Sequence, residues 1–280
     1  DNLVVVDTWR ATRTPYAAFL TRRGSRLTGL RAVNQLASAR SVHIVYRCLK
    51  VTVRFDPAAV RNERQRVETA QLSIEPAPDE RRDGRDFFGN AISAVAWHRP
   101  VEKIAFCLTA RAERAPPPLA DLSPPLADLP GQIAGTDLSP GSPQHFLAPS
   151  YRIVPVAEIT GFARAAVPEG ASVRDAVQAV GHALYRAMKY DAEATDVGTT
   201  PAQAFAARHG VCQDFTQIMI AGLRALGIPA GYVSGFLRTY PPPGQPRLAG
   251  VDAMHAWVAA WAGPVQGWIE FRSEEHTSEL

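Results

Sequence analysis

The sequence predicts an α+β protein in two parts: a small antiparallel β-sandwich over residues 43–115 and a mixed helix and strand core over residues 150–271. Three observations predict it. Short apolar runs separated by turn chemistry fill the stretch from His43 to Thr109. Nine prolines crowd the stretch from Pro116 to Pro149. Beyond them the apolar period becomes helical and then returns to alternation.

In the first part the expected strands are His43–Tyr46, Val51–Phe55, Ala70–Ile74, Ala91–Trp97 and Ile104–Thr109. Ile104, Phe106 and Leu108 alternate with Ala105, Cys107 and Thr109, which is the period of a half-buried strand. Cys107 is therefore expected to be an ordinary buried thiol. The charged, glycine-containing stretch 79–86 reads as a turn leading into Phe87-Phe88-Gly89-Asn90.

Between Pro116 and Pro149, Pro118-Leu119-Ala120-Asp121-Leu122 recurs as Pro125-Leu126-Ala127-Asp128-Leu129. Prolines at this density are expected to block both a helix and a central strand, so residues 116–149 read as a linker lying on the surface.

In the second part Ser172 is an N-cap with Asp175 three residues on, and Val173, Val177, Val180, Leu184 and Met188 share one helical face. Pro201–Ala207 reads as a short helix closed by His209-Gly210. From Phe215, the residues Ile218, Met219, Gly222, Leu223 and Leu226 fall at helical spacing, and Gly227 followed by Pro229 supplies the stop. Cys212 then stands at or just before the first turn of that helix. Ala230–Leu237 reads as a strand, and so does His255–Trp261, with His255, Trp257, Ala259 and Trp261 on one face. Gly263-Pro264 turns the chain into Trp268–Phe271. A hairpin folded about position 264 pairs residues whose numbers total about 528, which sets His255 across from position 272 or 273.

Composition excludes several classes. A chain of 280 residues, 46% hydrophobic and 20% charged, suits one large domain or two ordinary ones and is not disordered overall. Lys+Arg 30 against Asp+Glu 27 leaves a net charge of +3, dispersed along the chain, so no nucleic-acid partner is expected. No membrane partner is expected either. Arg224 interrupts the longest apolar candidate, Ile218–Phe236, before it reaches the roughly 18 uninterrupted residues a spanning helix needs. Cys48, Cys107 and Cys212 form no CxxC pair, which argues against a zinc knuckle or a disulfide scaffold and suits a reducing, cytoplasmic location. Residues 1–42 carry seven arginines against Asp1 and Asp7, but the apolar run Leu3–Val6 precedes any basic region. They are read as an N-terminal extension of uncertain status rather than a transit peptide.

Chemistry concentrates at two residues. A cysteine at a helix N-terminus meets unpaired N–H groups and the positive end of the helix dipole, both of which favour thiolate. Cys212 is thus a candidate nucleophile; on position alone, a small buried residue that happens to open a helix is the plainer alternative. His255, on a strand with the small residues Ala253 and Ala256 near it, is a candidate imidazole partner, since a Cys–His pair activates its own nucleophile. The remaining candidates are plainer. His209 reads as a loop residue, His182 as a helix-face histidine, and Asp191, Glu193 and Asp196 as a solvated acidic loop without calcium-loop spacing. His276 falls in the tail. Trp257 and Trp261 read as core packing.

Gly210-Val211-Cys212-Gln213-Asp214-Phe215, the run Leu223-Arg224-Ala225-Leu226-Gly227-Ile228-Pro229-Ala230, then Tyr232-Val233-Ser234-Gly235 and Asp252-Ala253-Met254-His255-Ala256-Trp257-Val258 together resemble the bacterial transglutaminase-like proteins. Asp86-Phe87-Phe88-Gly89-Asn90 extends the likeness into the preceding β domain, so that it covers roughly residues 71–271. The resemblance implies a papain-like core with a Cys–His–Asp triad, in which Cys212 is the nucleophile and His255 the general base. It implies no cofactor and a protein or peptide substrate, acted on through an acyl-thioester by hydrolysis or amine transfer. A catalytically inactive peptide-binding module on the same fold is the alternative. The family's acid should follow Gly-Trp-Ile-Glu-Phe directly, and this chain has Arg272 there. Asp252 is a poor substitute, because an odd offset from His255 points it to the other face of an extended strand. Residues 272–280, Arg272-Ser273-Glu274-Glu275-His276-Thr277-Ser278-Glu279-Leu280, resemble the translation of a sequencing-library adapter, and the core is expected to be incomplete after Phe271.

Overall fold

The computed structural model describes residues 42–46, 49–54, 65–98, 101–114, 120–191, 193–196, 198–236 and 254–272. Readings that fall on residues 1–41, on Cys48, on Asp252 or on His276 lie outside the described residues, as does the tail from residue 273. Two compact units divide the chain: the first runs to Ala115 and includes Ser234–His255, and the second holds Pro116–Val233 and the residues from Ala256.

The first unit has six strands, β1 (Val42–Tyr46), β2 (Leu49–Arg54), β3 (Gln65–Glu75), β4 (Glu80–Arg85), β5 (Ala91–Trp97) and β6 (Val101–Arg114). They form two three-stranded antiparallel sheets, ordered β1–β6–β3 and β2–β5–β4. Ile74, Val95 and Trp97 are buried, and the Trp97 indole N–H donates to the Pro76 carbonyl at 3.0 Å. Cys107 lies in β6 opposite Ser73.

One expectation is corrected here. The charged stretch read as a turn is strand β4, all six residues of which are exposed. Edge strands tolerate and favour such charge, because it discourages pairing with another chain. The actual turn is tighter and later. The Asp86 carboxylate accepts the N–H groups of Phe88 at 2.9 Å and Asn90 at 3.0 Å, and Gly89 takes φ 84°, a conformation that suits glycine.

The second unit opens with a 3₁₀ turn (Leu126–Asp128) and then α1 (Leu129–Ala134), a second 3₁₀ turn (Pro143–Phe146), α2 (Ala157–Ala166) and α3 (Val173–Ala187). It continues through β7 (Lys189–Tyr190), α4 (Pro201–Ala207), β8 (His209–Gly210) and α5 (Cys212–Ala225) to β9 (Ala230–Phe236), β10 (Met254–Trp261) and β11 (Trp268–Phe271). The proline-rich segment is thus not a surface linker where it is described. Two of its prolines, Pro130 and Pro143, sit in first helical turns, where the missing N–H has no partner to lose. Leu129, Ile133 and Phe146 are buried, and the Phe146 ring meets Trp268 edge-on at 4.9 Å.

Helix α3 starts as its sequence dictates: the Ser172 hydroxyl accepts the Asp175 N–H at 3.0 Å and donates to the Asp121 carboxylate at 2.8 Å. The Val173 N–H reaches the Pro124 carbonyl at 2.9 Å, so residues 121–125 strap the helix start. The core gathers Val177, Val180 and Leu184 of α3, Phe215, Ile218 and Leu223 of α5, and Val258, Ala260 and Phe271 of the sheet ordered β11–β10–β9. Gly181 is required there, since a Cβ would come within 2.0 Å of the Phe271 ring. Helix α5 ends at Gly227, with φ 80°. Arg224 ties that end down by donating to the Ala230 carbonyl at 2.8 and 3.0 Å and to the Ala148 carbonyl at 2.8 Å. Burial lowers its guanidinium to about 10, still protonated at neutral pH.

Candidate active site

Helix α5 begins where the chain has been reversed and held. Arg208 adopts a left-handed conformation, φ 61°, at the end of α4, and its guanidinium lies 3.9 Å from the Phe205 ring centroid. Residues His209–Gly210 then pair in parallel with Lys189–Tyr190, extended by the Asp191 N–H donating to the Gly210 carbonyl at 3.0 Å. Val211 is extended (φ −101°, ψ 176°), and Cys212 is the first residue of the 14-residue helix. Cys212 forms no disulfide among the described residues and is half-buried. It sits at the end of the helix where the first backbone N–H groups have no intrahelical acceptor and the dipole is positive. The Thr216 hydroxyl donates to the Cys212 carbonyl at 2.7 Å, which fixes the backbone of the first turn.

Sequence reasoning quoted Asp214 but gave it no role. The structure gives it one. Its side chain is buried, 1% exposed. One oxygen, Oδ2, accepts the Val211 N–H at 2.8 Å and the Thr195 hydroxyl at 2.5 Å. The other, Oδ1, is buried with no hydrogen-bond partner among the described residues. Burial pushes the carboxyl group up, against the two hydrogen bonds that favour its charged form, and the Asp196 charge adds to the rise. A Cβ at Gly210 would stand 2.6 Å from Oδ2, so the glycine two residues before the cysteine leaves room for this carboxylate. The signal was present in the sequence: a carboxylate at the third helical position is half of a capping box.

His255 is the second residue of β10 and half-buried, with its Nδ1 atom buried. It closes the segment grouped with the first unit, whereas Cys212 belongs to the second. The strand it opens runs on into the core that α5 shares, through Val258 and Ala260. On the face carrying His255, Trp257 and Ala259, the strand partner contributes Glu270, whose carboxylate accepts the buried Trp257 indole N–H at 3.1 Å. Glu270 is a buried carboxylate that alternation alone did not single out.

The hairpin register corrects the expected one by a single step: the pairs Val258 with Phe271 and Trp261 with Trp268 total one more than 528. Continued, that register sets residue 272 opposite Trp257, on the His255 face and diagonal to the histidine. Arg272 is 6% exposed.

The other candidates are placed plainly. The His182 ring meets Phe271 edge-on at 5.4 Å. His209 Nδ1 is 3.9 Å from an Asp191 oxygen. Asp196 spends its carboxylate on the Gly198 and Thr199 N–H groups of its own loop. Trp257 and Trp261 are buried. Among the described residues no cluster of three or more His, Cys, Asp and Glu side chains could hold a metal, and no helix is long and apolar enough to cross a membrane.

Comparison with known proteins gives five findings. Residues 160–273 match the transglutaminase-like superfamily model, and residues 47–113 match the bacterial transglutaminase-like N-terminal region. An uncharacterized protein of Mycobacterium tuberculosis is 34% identical over 233 residues, covering 77% of this chain and 69% of that one. A protein of Mycobacterium bovis, also uncharacterized, gives the same figures. The crystal structure of a candidate cysteine protease from Cytophaga hutchinsonii superposes with a TM-score of 0.63 at 22% identity, covering 84% of this chain and 74% of that one. At that identity the likeness is one of fold.

Proposed function

The chain belongs to the transglutaminase-like superfamily, and on that premise we propose that it is a cysteine enzyme acting on peptide or carboxamide bonds through an acyl-thioester. The observation that carries the reading is the half-buried Cys212 at the first position of α5. In the proposed reaction the imidazole of His255 takes the thiol proton, and the thiolate sulfur attacks the carbonyl carbon. The C–N bond breaks as His255 returns the proton to the leaving amine. Water, deprotonated by the same imidazole, or an amine then attacks the thioester and regenerates the thiol. Peptide-resolved alkylation with iodoacetamide near pH 6 tests the assignment. Cys212 should be labelled first, and equal or faster labelling of Cys107 would sink it.

A second reading has its own observation. Arg272 stands where the family resemblance expects the acid that orients the general base, and it is buried on the His255 face. A carboxylate there would fix the imidazole tautomer and stabilise the imidazolium; losing it from a serine triad costs about 10⁴ in turnover. A thiol, partly ionised near neutrality, depends on it less. We therefore expect this chain to turn over amides slowly and to act chiefly as a peptide-binding module, with Arg272→Asp raising turnover. Equal turnover by the chain and its Arg272→Asp variant would show that another group orients His255.

A further inference from the structure

We propose that Asp214 is a positioning residue for Cys212: by joining the Val211 N–H to the Thr195 hydroxyl, its carboxylate locks the start of α5 to the segment 193–196 and so fixes the direction of the thiol. The proposal rests on Cys212 being the nucleophile.

Three observations converge on it. Asp214 is two residues from Cys212 within the first turn of the helix, so any rotation of that turn moves both side chains together. Its Oδ2 atom is shared between the helix cap and a residue from a separate segment, Thr195, at 2.8 and 2.5 Å. That segment is braced on its own account: the Asp196 carboxylate accepts the N–H groups of Gly198 at 2.7 Å and Thr199 at 3.0 Å, and the Thr199 hydroxyl accepts the Asp196 N–H at 3.1 Å. Thr195 is thus presented from a fixed loop. The third observation is the notch at Gly210, where any side chain would meet the carboxylate. Glycine weakens a strand, yet one stands here in β8.

An exposed serine or threonine would cap the helix without burying a carboxyl group, as Ser172 does for α3. Asp214 instead is buried with one oxygen unpartnered, a cost that a cap alone does not require. What the aspartate adds over such a cap is reach, from the helix backbone to the loop. The burden of a buried acid is the physical trace of that added task.

The test is peptide-resolved iodoacetamide labelling of Cys212 in the full chain at pH 7, with folding followed by circular dichroism and thermal melting. Asp214→Asn keeps an amide oxygen able to accept both hydrogen bonds, and its rate should stay within about threefold of the parent. Asp214→Ala removes both bonds and should label at least about tenfold more slowly while still folded. Thr195→Val leaves the helix cap intact and cuts only the link to the loop; a loss of about two- to tenfold is expected, with Thr195→Ser restoring the rate. Parent rates in folded Asp214→Ala and Thr195→Val proteins would overturn the proposal and leave Asp214 a structural cap. An Asp214→Asn rate as poor as that of Asp214→Ala would also overturn it, by showing that charge and not the bridge matters. If Asp214→Ala fails to fold, Thr195→Val decides alone. Failure of the nucleophile assignment shows separately, as a Cys212 in the parent chain no faster than Cys107, whereas the ratios between variants report on positioning.

Discussion

Around Cys212 the distance between a helix cap and a strained site is a few tenths of an ångström. Oδ2 of Asp214 fills the space that an alanine methyl at position 210 would need, so the glycine and the aspartate on either side of Cys212 form one steric unit. Cys212 and His255 were legible as candidates because helix position and a strand imidazole carry recognisable chemistry. Asp214 and Glu270 were not: a carboxylate in a sequence gives no sign of burial, and both are buried. The elevated carboxyl group of Asp214 has a measurable consequence. Its folded value is raised above 3.8 by burial, so the native state binds the proton more tightly than the unfolded chain does. The stability this contributes is complete below pH 3.8 and is lost as pH rises through the folded value. Asp214→Asn has no such titration. Urea unfolding of both proteins from pH 4 to pH 8 should therefore show the parent losing stability relative to the variant as pH rises. A constant difference across that range would mean that burial does not perturb the carboxyl group.

At the level of elements, the period of the apolar residues was sufficient wherever a face is half-buried. The strands β5 and β11 and the helices α3 and α4 fall where alternation and capping residues put them. Two elements were missed for physical reasons. Strand β4 has no apolar face at all, because it is an edge whose six residues are all exposed, and periodicity is silent about such strands. The short helix α1 is hidden by Pro130, which reads as a breaker although a proline in the first turn breaks nothing. The cap of α3 allows a direct measurement. Ser172→Ala removes the hydrogen bond to the Asp175 N–H and the one to Asp121, and should cost about 1 to 2 kcal/mol in urea unfolding. Loss of less than about 0.3 kcal/mol would show that the strap from residues 121–125 holds the helix start without the serine.

The whole chain is α+β with a transglutaminase-like, papain-like core and small antiparallel sheets ahead of it, as the matches over 47–113 and 160–273 and the likeness of fold show. That much was legible because the blocks around Cys212 and His255 stand in a fixed order. Less legible was how far the second unit reaches toward the N-terminus, since nothing local marks Leu129, Ile133 and Phe146 as core residues. Native-state hydrogen exchange offers the test. The amide of Ile133 in α1 should open only with those of α3 and α5, because the core that buries Ile133 is common to all three. Exchange there at the rate of an unstructured peptide would restore the picture of a surface linker.

The fit of Phe271 into the notch at Gly181 bears on how the protein is made as well as on how it stands. The ring belongs to the last strand described, yet it completes the face of α3, a helix synthesised long before it. Until that strand leaves the ribosome, the sheet against which α3 and α5 close lacks its edge strand, and the part of their apolar faces that Phe271 covers stays open. Helix formation is local and fast, whereas closing this core waits on a contact distant in sequence. During that interval the nascent chain is at its most prone to aggregate, and the burial of one phenylalanine brings the interval to an end.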